Sequence, residues 1–462
     1  MPIIAACIVP HPPLAIPAVG RGQELEIMDT VRALKEVARR IGELEPDTVI
    51  FISPHAVAYA DYIHLAPGDS ASGDMSRFGA PGCRFKVNYD AELCAVVAAA
   101  AKAIDFPAGT LGQREPELDH GCTVPLYYIS PALSSDCRVL RVSVSGLSAG
   151  EHYRCGMLLA ESVEKLGRRA VVVASGDLSH RLKAKGPYGF DPAGPEFDRA
   201  VTAAMGAGDF LSFLTLDTQL CNDAGECGLR SFQIMAGAFD GRAVRSELLS
   251  YEGPFGVGYG VAWFKPAAPD SQRLLLERLQ ERNREALAAT RAGEDALVRL
   301  ARQSLEYYVQ TGKAMPLPEG LPEEFLKQRA GAFVSLKKHG QLRGCIGTTA
   351  PTRDTLAQEV IANAISAGAR DPRFASVGPN ELDEIVYSVD VLSAAEPVSG
   401  PEALDPQRYG VIVTSGRRRG LLLPMLEGVD TVESQLAIAC DKAGIGPHEK
   451  YSIERFEVVR HK

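Results

Sequence analysis

Through the first 265 residues, short continuous apolar runs alternate with segments whose apolar residues recur at helical spacing. The runs are "IIAACIV" (3–9), "TVIFIS" (48–53), "RVLRVSVS" (138–145) and "AVVVAS" (170–175). Between them lie "DTVRALKEVARRIGEL" (29–44) and "HYRCGMLLAESVEKLG" (152–167), which read as amphipathic helices. Apolar runs without polar alternation mark strands covered on both faces, and helices between such strands do the covering. The pattern predicts an α/β domain with a largely parallel or mixed sheet. A late "RSELLSYEGPFGVGYGVAWF" (245–264) reads as a closing pair of strands.

The pattern then changes. "KPAAPDSQ" (265–272) predicts a linker by its prolines and small residues. This divides the chain into a domain at 1–265, a linker at 266–272 and a second domain at 273–462. The second domain opens with a long helical stretch broken at Gly293. Two strand-like runs around "KHGQ" follow within "GAFVSLKKHGQLRGCIGT" (331–348), which puts His339 in a hairpin turn. Further strands are expected at "IVYSVDVLS" (385–393), "YGVIVTS" (409–415) and "GLLLP" (420–424), the last two joined by a "GRRRG" turn. Helices are expected at about 352–369 and 431–443. That is an α+β pattern, unlike the first half, and no internal repeat links the two.

Composition narrows the function classes. The 462 residues are 46% hydrophobic and 23% charged, ordinary for a globular protein. A net charge of -9 argues against a dedicated nucleic-acid binder. No apolar run reaches the roughly 18 residues of a membrane helix, and the N-terminus lacks the basic start of a secretory signal. A cytoplasmic protein is expected. Ten cysteines are scattered without a C-x-x-C pair, so they read as reduced thiols rather than a disulfide framework or a structural zinc site.

Chemistry gathers at strand ends. His11 follows the first run in "CIVPHPPLAIP", His55 follows the second in "ISPHA", and His180 follows "AVVVAS" in "SGDLSH". In a parallel α/β sheet the C-terminal strand ends form the ligand crevice. Two histidines with one carboxylate form a ligand set for Fe(II), and also for zinc. The candidate acid is Glu226 in "NDAGECGLRSFQIM", with Asp223, Cys227 and Glu252 as competing ligands. His120, in "ELDHGCTVPLYYIS", reads either as part of the site or as the start of a helix capped by Asp119. Asp177 reads as a residue orienting the site or as a turn former.

Taken in order, "HPP", "ISPHA", "LDHGCTVPL", "SGDLSH" and "GECG" resemble the class III (LigB-type) extradiol ring-cleavage dioxygenases. The resemblance spans roughly residues 1–265. It implies a LigB-like mixed sheet flanked by helices, and a non-heme Fe(II) enzyme that opens a catechol-like or 2-aminophenol-like ring with O2. It makes His11, His55 and Glu226 the iron ligands and His180 the acid/base histidine. It makes His120 a residue that contacts the substrate hydroxyl and the oxygen.

In the second half, "LRGCIGT" (342–348), "DPRFASVGPNELDEIVYSVDVLS" (371–393) and "RRGLLLP" (418–424) resemble an AMMECR-type domain, over about 273–462. That resemblance implies a separate α+β unit around an antiparallel sheet. Cys345 reads as a nucleophile or ligand with Arg343 as an anion contact, or as a small residue where backbones pass closely. "GRRRG" reads as a solvated turn rather than a phosphate site. The two families meet in the AmmeMemoRadiSam system, which implies a separate radical-SAM partner protein. A homodimer is a further expectation. Three functional readings follow: a ring-cleaving dioxygenase, a Memo-like metal-binding redox or scaffold protein without ring cleavage, and a metal-assisted hydrolase.

Overall fold

The computed structural model describes residues 2–114, 117–338, 340–426 and 428–462, and His339 lies outside them. The chain forms two compact units that divide between Glu281 and Arg282.

The first unit is built on a six-stranded mixed sheet. Its strands are β1 (Ile3–Val9), β2 (Thr48–Ser53), β3 (Arg138–Ser143), β4 (Ala170–Ser175), β5 (Arg242–Glu252) and β6 (Tyr259–Pro269). They lie in the order β3-β2-β4-β1-β6-β5. The first four are mutually parallel, so Val9, Ser53, Ser143 and Ser175 end at one edge. The last two close the sheet as an antiparallel pair. The unbroken apolar runs have a simple cause. Ile50 and Ile52 of β2 join one buried cluster and Val49 and Phe51 join another, as do Ala6 and Ile8 against Cys7 and Val9 on β1. Both faces of each strand are covered, so neither can be polar.

Four helices matter for the site. They are α1 (Met28–Leu44), α2 (His120–Ile129), α3 (Ala149–Lys165) and α4 (Leu229–Gly237). α3 and α4 touch backbone to backbone. A Cβ on Gly156 would stand 1.9 Å from the Ile234 carbonyl oxygen, and one on Gly237 would stand 1.9 Å from that of Tyr153. Only glycine permits this approach.

The stretch read as a linker is folded. Lys265 and Pro266 pair with Arg245 and Val244, β6 runs on to Pro269, and Ser271–Arg273 is a 3-10 turn. The prolines are tolerated because β5 and β6 close the outer side of the sheet, where register irregularities interrupt the ladder. The helix α5 (Leu275–Gly293) follows, and its Leu275 and Leu279 are buried in the first unit's core.

The second unit contains α6 (Ala296–Thr311), α7 (Leu356–Ala369) and α8 (Val432–Ala443). Its main strands are β7 (Ala332–Lys338), β8 (Gln341–Gly347), β9 (Ile385–Leu392), β10 (Tyr409–Ser415), β11 (Arg418–Leu422) and β12 (Ser452–His461). The sheet is antiparallel in the order β8-β7-β9-β12-β10-β11. "GRRRG" is only partly a turn. Ser415 pairs with Arg418, so Gly416 and Arg417 alone make the bend, and Arg418 and Arg419 belong to β11. Those two arginines pair with Glu449 and Glu454.

The glycines of "RGCIG" are structural. A Cβ on Gly344 would stand 2.2 Å from the Ala367 carbonyl oxygen of α7, and one on Gly347 would strike the Phe333 ring. Gly344→Ala is therefore expected to push α7 off the sheet and destabilise the second unit by about 2–3 kcal/mol. Thermal unfolding of the variant against the wild type measures this directly.

Candidate metal and proton-transfer site

The site is assembled where the parallel strands end. β1 carries the chain to His11 two residues beyond Val9, and β4 carries it to Asp177 two residues beyond Ser175. Val9 and Ser175 are paired in register. Asp177 accepts the His11 backbone N–H at 2.8 Å, which fixes the two strand ends to each other. His11 Nδ1 lies 3.0 Å from Ser175 Oγ, leaving Nε2 to face the crevice.

His11 Nε2 is the hub. It stands 3.0 Å from His55 Nε2, 3.7 Å from Cys227 Sγ and 3.9 Å from Asp177 Oδ2. His11, His55 and His120 form a group whose candidate ligand atoms all lie within 4.8 Å of one another. The His120 ring stacks on His55 with centroids 4.0 Å apart and planes 29° from parallel. His11 is buried, His55 is exposed and His120 is half-buried, so the group opens to solvent on one side.

Burial sets the protonation states. Desolvation, then the neighbouring histidines, holds His11 well below the ordinary imidazole range. Desolvation and then His120 push His55 down to about 4, and desolvation lowers His120 despite the nearby Asp119 carboxylate. Neutral imidazole is the metal-binding form. Burial pushes the Asp177 carboxyl up to about 7.

His180 sits beside this group. Its Nδ1 contacts the Gly225 carbonyl oxygen, and burial lowers its pKa. An Nδ1–H donated to that carbonyl leaves Nε2 with a free lone pair, the form a general base needs. Two aromatic rings border the histidines: Tyr188 lies 5.0 Å from His180, and Phe78 lies 5.6 Å from His120. Tyr188 is 63% exposed and Phe78 is 37% exposed, so both offer a face to an incoming molecule.

Glu226 lies outside the three-histidine group, and its carboxylate accepts the Leu229 N–H at the start of α4 at 2.7 Å. Asp223 accepts from Gln219, and Glu252 accepts the backbone N–H and hydroxyl of Thr30 in α1. Cys227 reaches the hub because Gly176 and Gly228 let two backbones meet. A Cβ on Gly176 would stand 2.1 Å from the Gly228 Cα. Neither Phe78 nor Tyr188 was marked by the sequence pattern, since a single aromatic in a polar loop carries no periodicity.

In the second unit, Cys345 accepts a hydrogen bond from Ser335 Oγ at 3.2 Å, and its N–H donates to Asp371. Arg343 is bound bidentately by Glu381, at 2.9 and 3.0 Å. All ten cysteines are free thiols.

Comparison with known proteins agrees with this architecture. The family described as "Catalytic LigB subunit of aromatic ring-opening dioxygenase" matches residues 5–262, and the AMMECR1 family matches residues 298–461. The chain belongs to the LigB family and carries an AMMECR1 domain after the LigB domain. Protein CA_C1420 of Clostridium acetobutylicum is 42% identical over 463 residues, covering 98% of each chain. A Thermotoga maritima protein is 55% identical over 172 residues, which are 37% of this chain and 99% of that one. Among solved structures, the uncharacterized protein PH0010 of Pyrococcus horikoshii is 36% identical, with a TM-score of 0.34, over 36% of this chain and 88% of its own. Among the described residues, no helix is long and apolar enough to cross a membrane.

Proposed function

We propose that the first unit is an Fe(II)-dependent extradiol-type dioxygenase acting on a catechol-like or 2-aminophenol-like ring. The observation that carries this reading is the 3.0 Å separation of two neutral imidazole nitrogens, with a third histidine and His180 beside them. Two nitrogens each about 2.1 Å from one ion, at a right angle, stand about 3.0 Å apart. The donor set therefore fits a metal ion.

His11 and His55 would hold that ion. Two side chains compete for the third position. His120 belongs to the group whose candidate ligand atoms lie within 4.8 Å of one another, and Cys227 Sγ stands 3.7 Å from His11 Nε2. Glu226, the ligand the family resemblance assigns, accepts the Leu229 N–H through Oε2. When bound, the ion would supply a Lewis-acid and redox centre that acidifies a ring hydroxyl and brings the ring together with O2.

The remaining work falls to the chain's own groups. His180 Nε2 takes the proton of the second ring hydroxyl, since its Nδ1 is tied to Gly225 and its pKa lies below the usual value. His120, neutral because burial lowers its pKa, offers a ring N–H to a substrate oxygen. Tyr188 beside His180 and Phe78 beside His120 each offer an exposed face to a flat ring, and aromatic stacking contributes about 0.5–1.5 kcal/mol per pair.

A thiol at the hub, 3.7 Å from His11 Nε2 and beside the Asp177 carboxylate at 3.9 Å, favours one second reading, a Memo-like redox metal protein without ring cleavage. The radical-SAM partner rests on the pairing of the two domains alone. Anaerobic loading with Fe(II), followed by oxygen uptake on catechols and 2-aminophenols, separates the two readings. The dioxygenase reading expects ring-dependent uptake by the loaded protein. Bound iron with no uptake on any ring supports the redox reading instead.

A further inference from the structure

Arg141 occupies the middle of β3, paired in register with Phe51, and its side chain is only 2% exposed. A guanidinium in such a place costs several kcal/mol unless it is paired. Its Nη1 donates to the Glu117 carbonyl at 2.7 Å and lies 3.7 Å from Asp119 Oδ2. That carboxylate oxygen is buried and makes no hydrogen bond among the described residues, so its contact with the guanidinium is one of charge.

The other oxygen, Asp119 Oδ1, reaches toward the site. It accepts from Ser53 Oγ at 2.5 Å and from the Cys122 N–H at 3.2 Å. Because Ser53 spends its proton on Asp119, its oxygen is free to accept the His55 N–H, at 3.2 Å. One carboxylate thus joins the loop that carries His55 to the first turn of the helix that begins with His120. Its charge is anchored from behind by Arg141.

We propose that Asp119, backed by Arg141, is a positioning residue that sets His55 and His120 relative to each other. The proposal rests on the metal-site reading and deepens it. A helix cap alone asks only for a hydrogen-bond acceptor, which asparagine supplies as well as aspartate. It asks for no arginine buried in the strand behind it. Asp119→Asn separates the two roles: the amide oxygen keeps the cap and the Ser53 contact, while the –NH2 faces Arg141 and the charge is lost.

The test uses the full-length protein. Wild type, Asp119→Asn and the double variant Asp119→Asn/Arg141→Met are titrated anaerobically with Co(II), and the visible ligand-field spectrum is recorded. Histidine ring resonances are recorded by NMR without metal. Loss of a contact that orients a ligand typically weakens metal binding 10–100-fold. The proposal expects a loss of that size in both variants, an altered ligand-field spectrum, and shifted His55 and His120 ring resonances. The double variant removes the buried positive charge together with the negative one, so it reports on positioning even where the single variant folds poorly. Wild-type affinity, spectrum and ring resonances in a folded variant would overturn the proposal. If the wild type takes no Co(II), the metal reading fails, and the metal-free ring resonances still decide whether Asp119 positions the histidines.

Discussion

His55→Ala is expected to cut the affinity for Fe(II) by at least about 100-fold, and His11→Ala by no less. Contacts that only orient a ligand cost 10–100-fold when lost, so loss of a donor sets a larger floor. The two substitutions differ in an informative way. His55 is exposed, so its removal leaves the core intact and its effect falls on the metal alone. His11 is 2% exposed and contacts Ser175, Asp177, His55 and Cys227, so its removal also leaves a cavity and strips partners from buried polar groups. His55→Ala should therefore unfold at the wild-type temperature while losing iron, and His11→Ala should lose both iron and stability. Iron stoichiometry after anaerobic dialysis, with thermal unfolding alongside, checks both. A His55→Ala protein that keeps a full equivalent of iron contradicts the assignment.

His180→Gln is expected to lower ring-dependent oxygen uptake by about 10²–10⁴-fold, the usual worth of a positioned general base. Glutamine can still donate to the Gly225 carbonyl, so the local fold is kept, but no group remains to accept the substrate proton. Iron content should stay at one equivalent, because His180 lies outside the three-histidine group. Uptake that is unchanged in the variant would assign the base elsewhere. Loss of iron together with activity would make His180 part of the metal cradle instead.

The parts of this molecule that could be read from the sequence are those governed by local chemistry. β2 and β4 begin and end at the expected residues because an apolar run covered on both faces has sharp polar borders. The gathering of His11, His55 and His180 followed from parallel topology, since strand ends at one edge must bring their next residues together. Other features depend on contacts between distant segments. Pro266 and Pro269 look like linker residues, yet they finish β6 beyond its pairing with β1, where a missing N–H is tolerated. Cys227 reaches His11 through the close approach of Gly176 to Gly228, which no local pattern encodes. Glu226 has the right chemistry and the right neighbours in sequence, and no local pattern marks the bond its Oε2 accepts from the amide of Leu229 at the start of α4. The local hint of the Arg141–Asp119 pair was Arg141 in the middle of "RVLRVSVS", a run that after Arg138 is otherwise apolar or small.

The measurement that bears most directly on the account is product analysis with isotopically labelled O2, using Fe(II)-loaded wild-type protein and the ring substrate that gives the fastest uptake. Ring cleavage by a dioxygenase places both labelled atoms in one ring-opened product, with one O2 consumed per ring. Iron-loaded protein that leaves every ring intact, or that passes oxygen to peroxide without labelling the product, would contradict the dioxygenase reading.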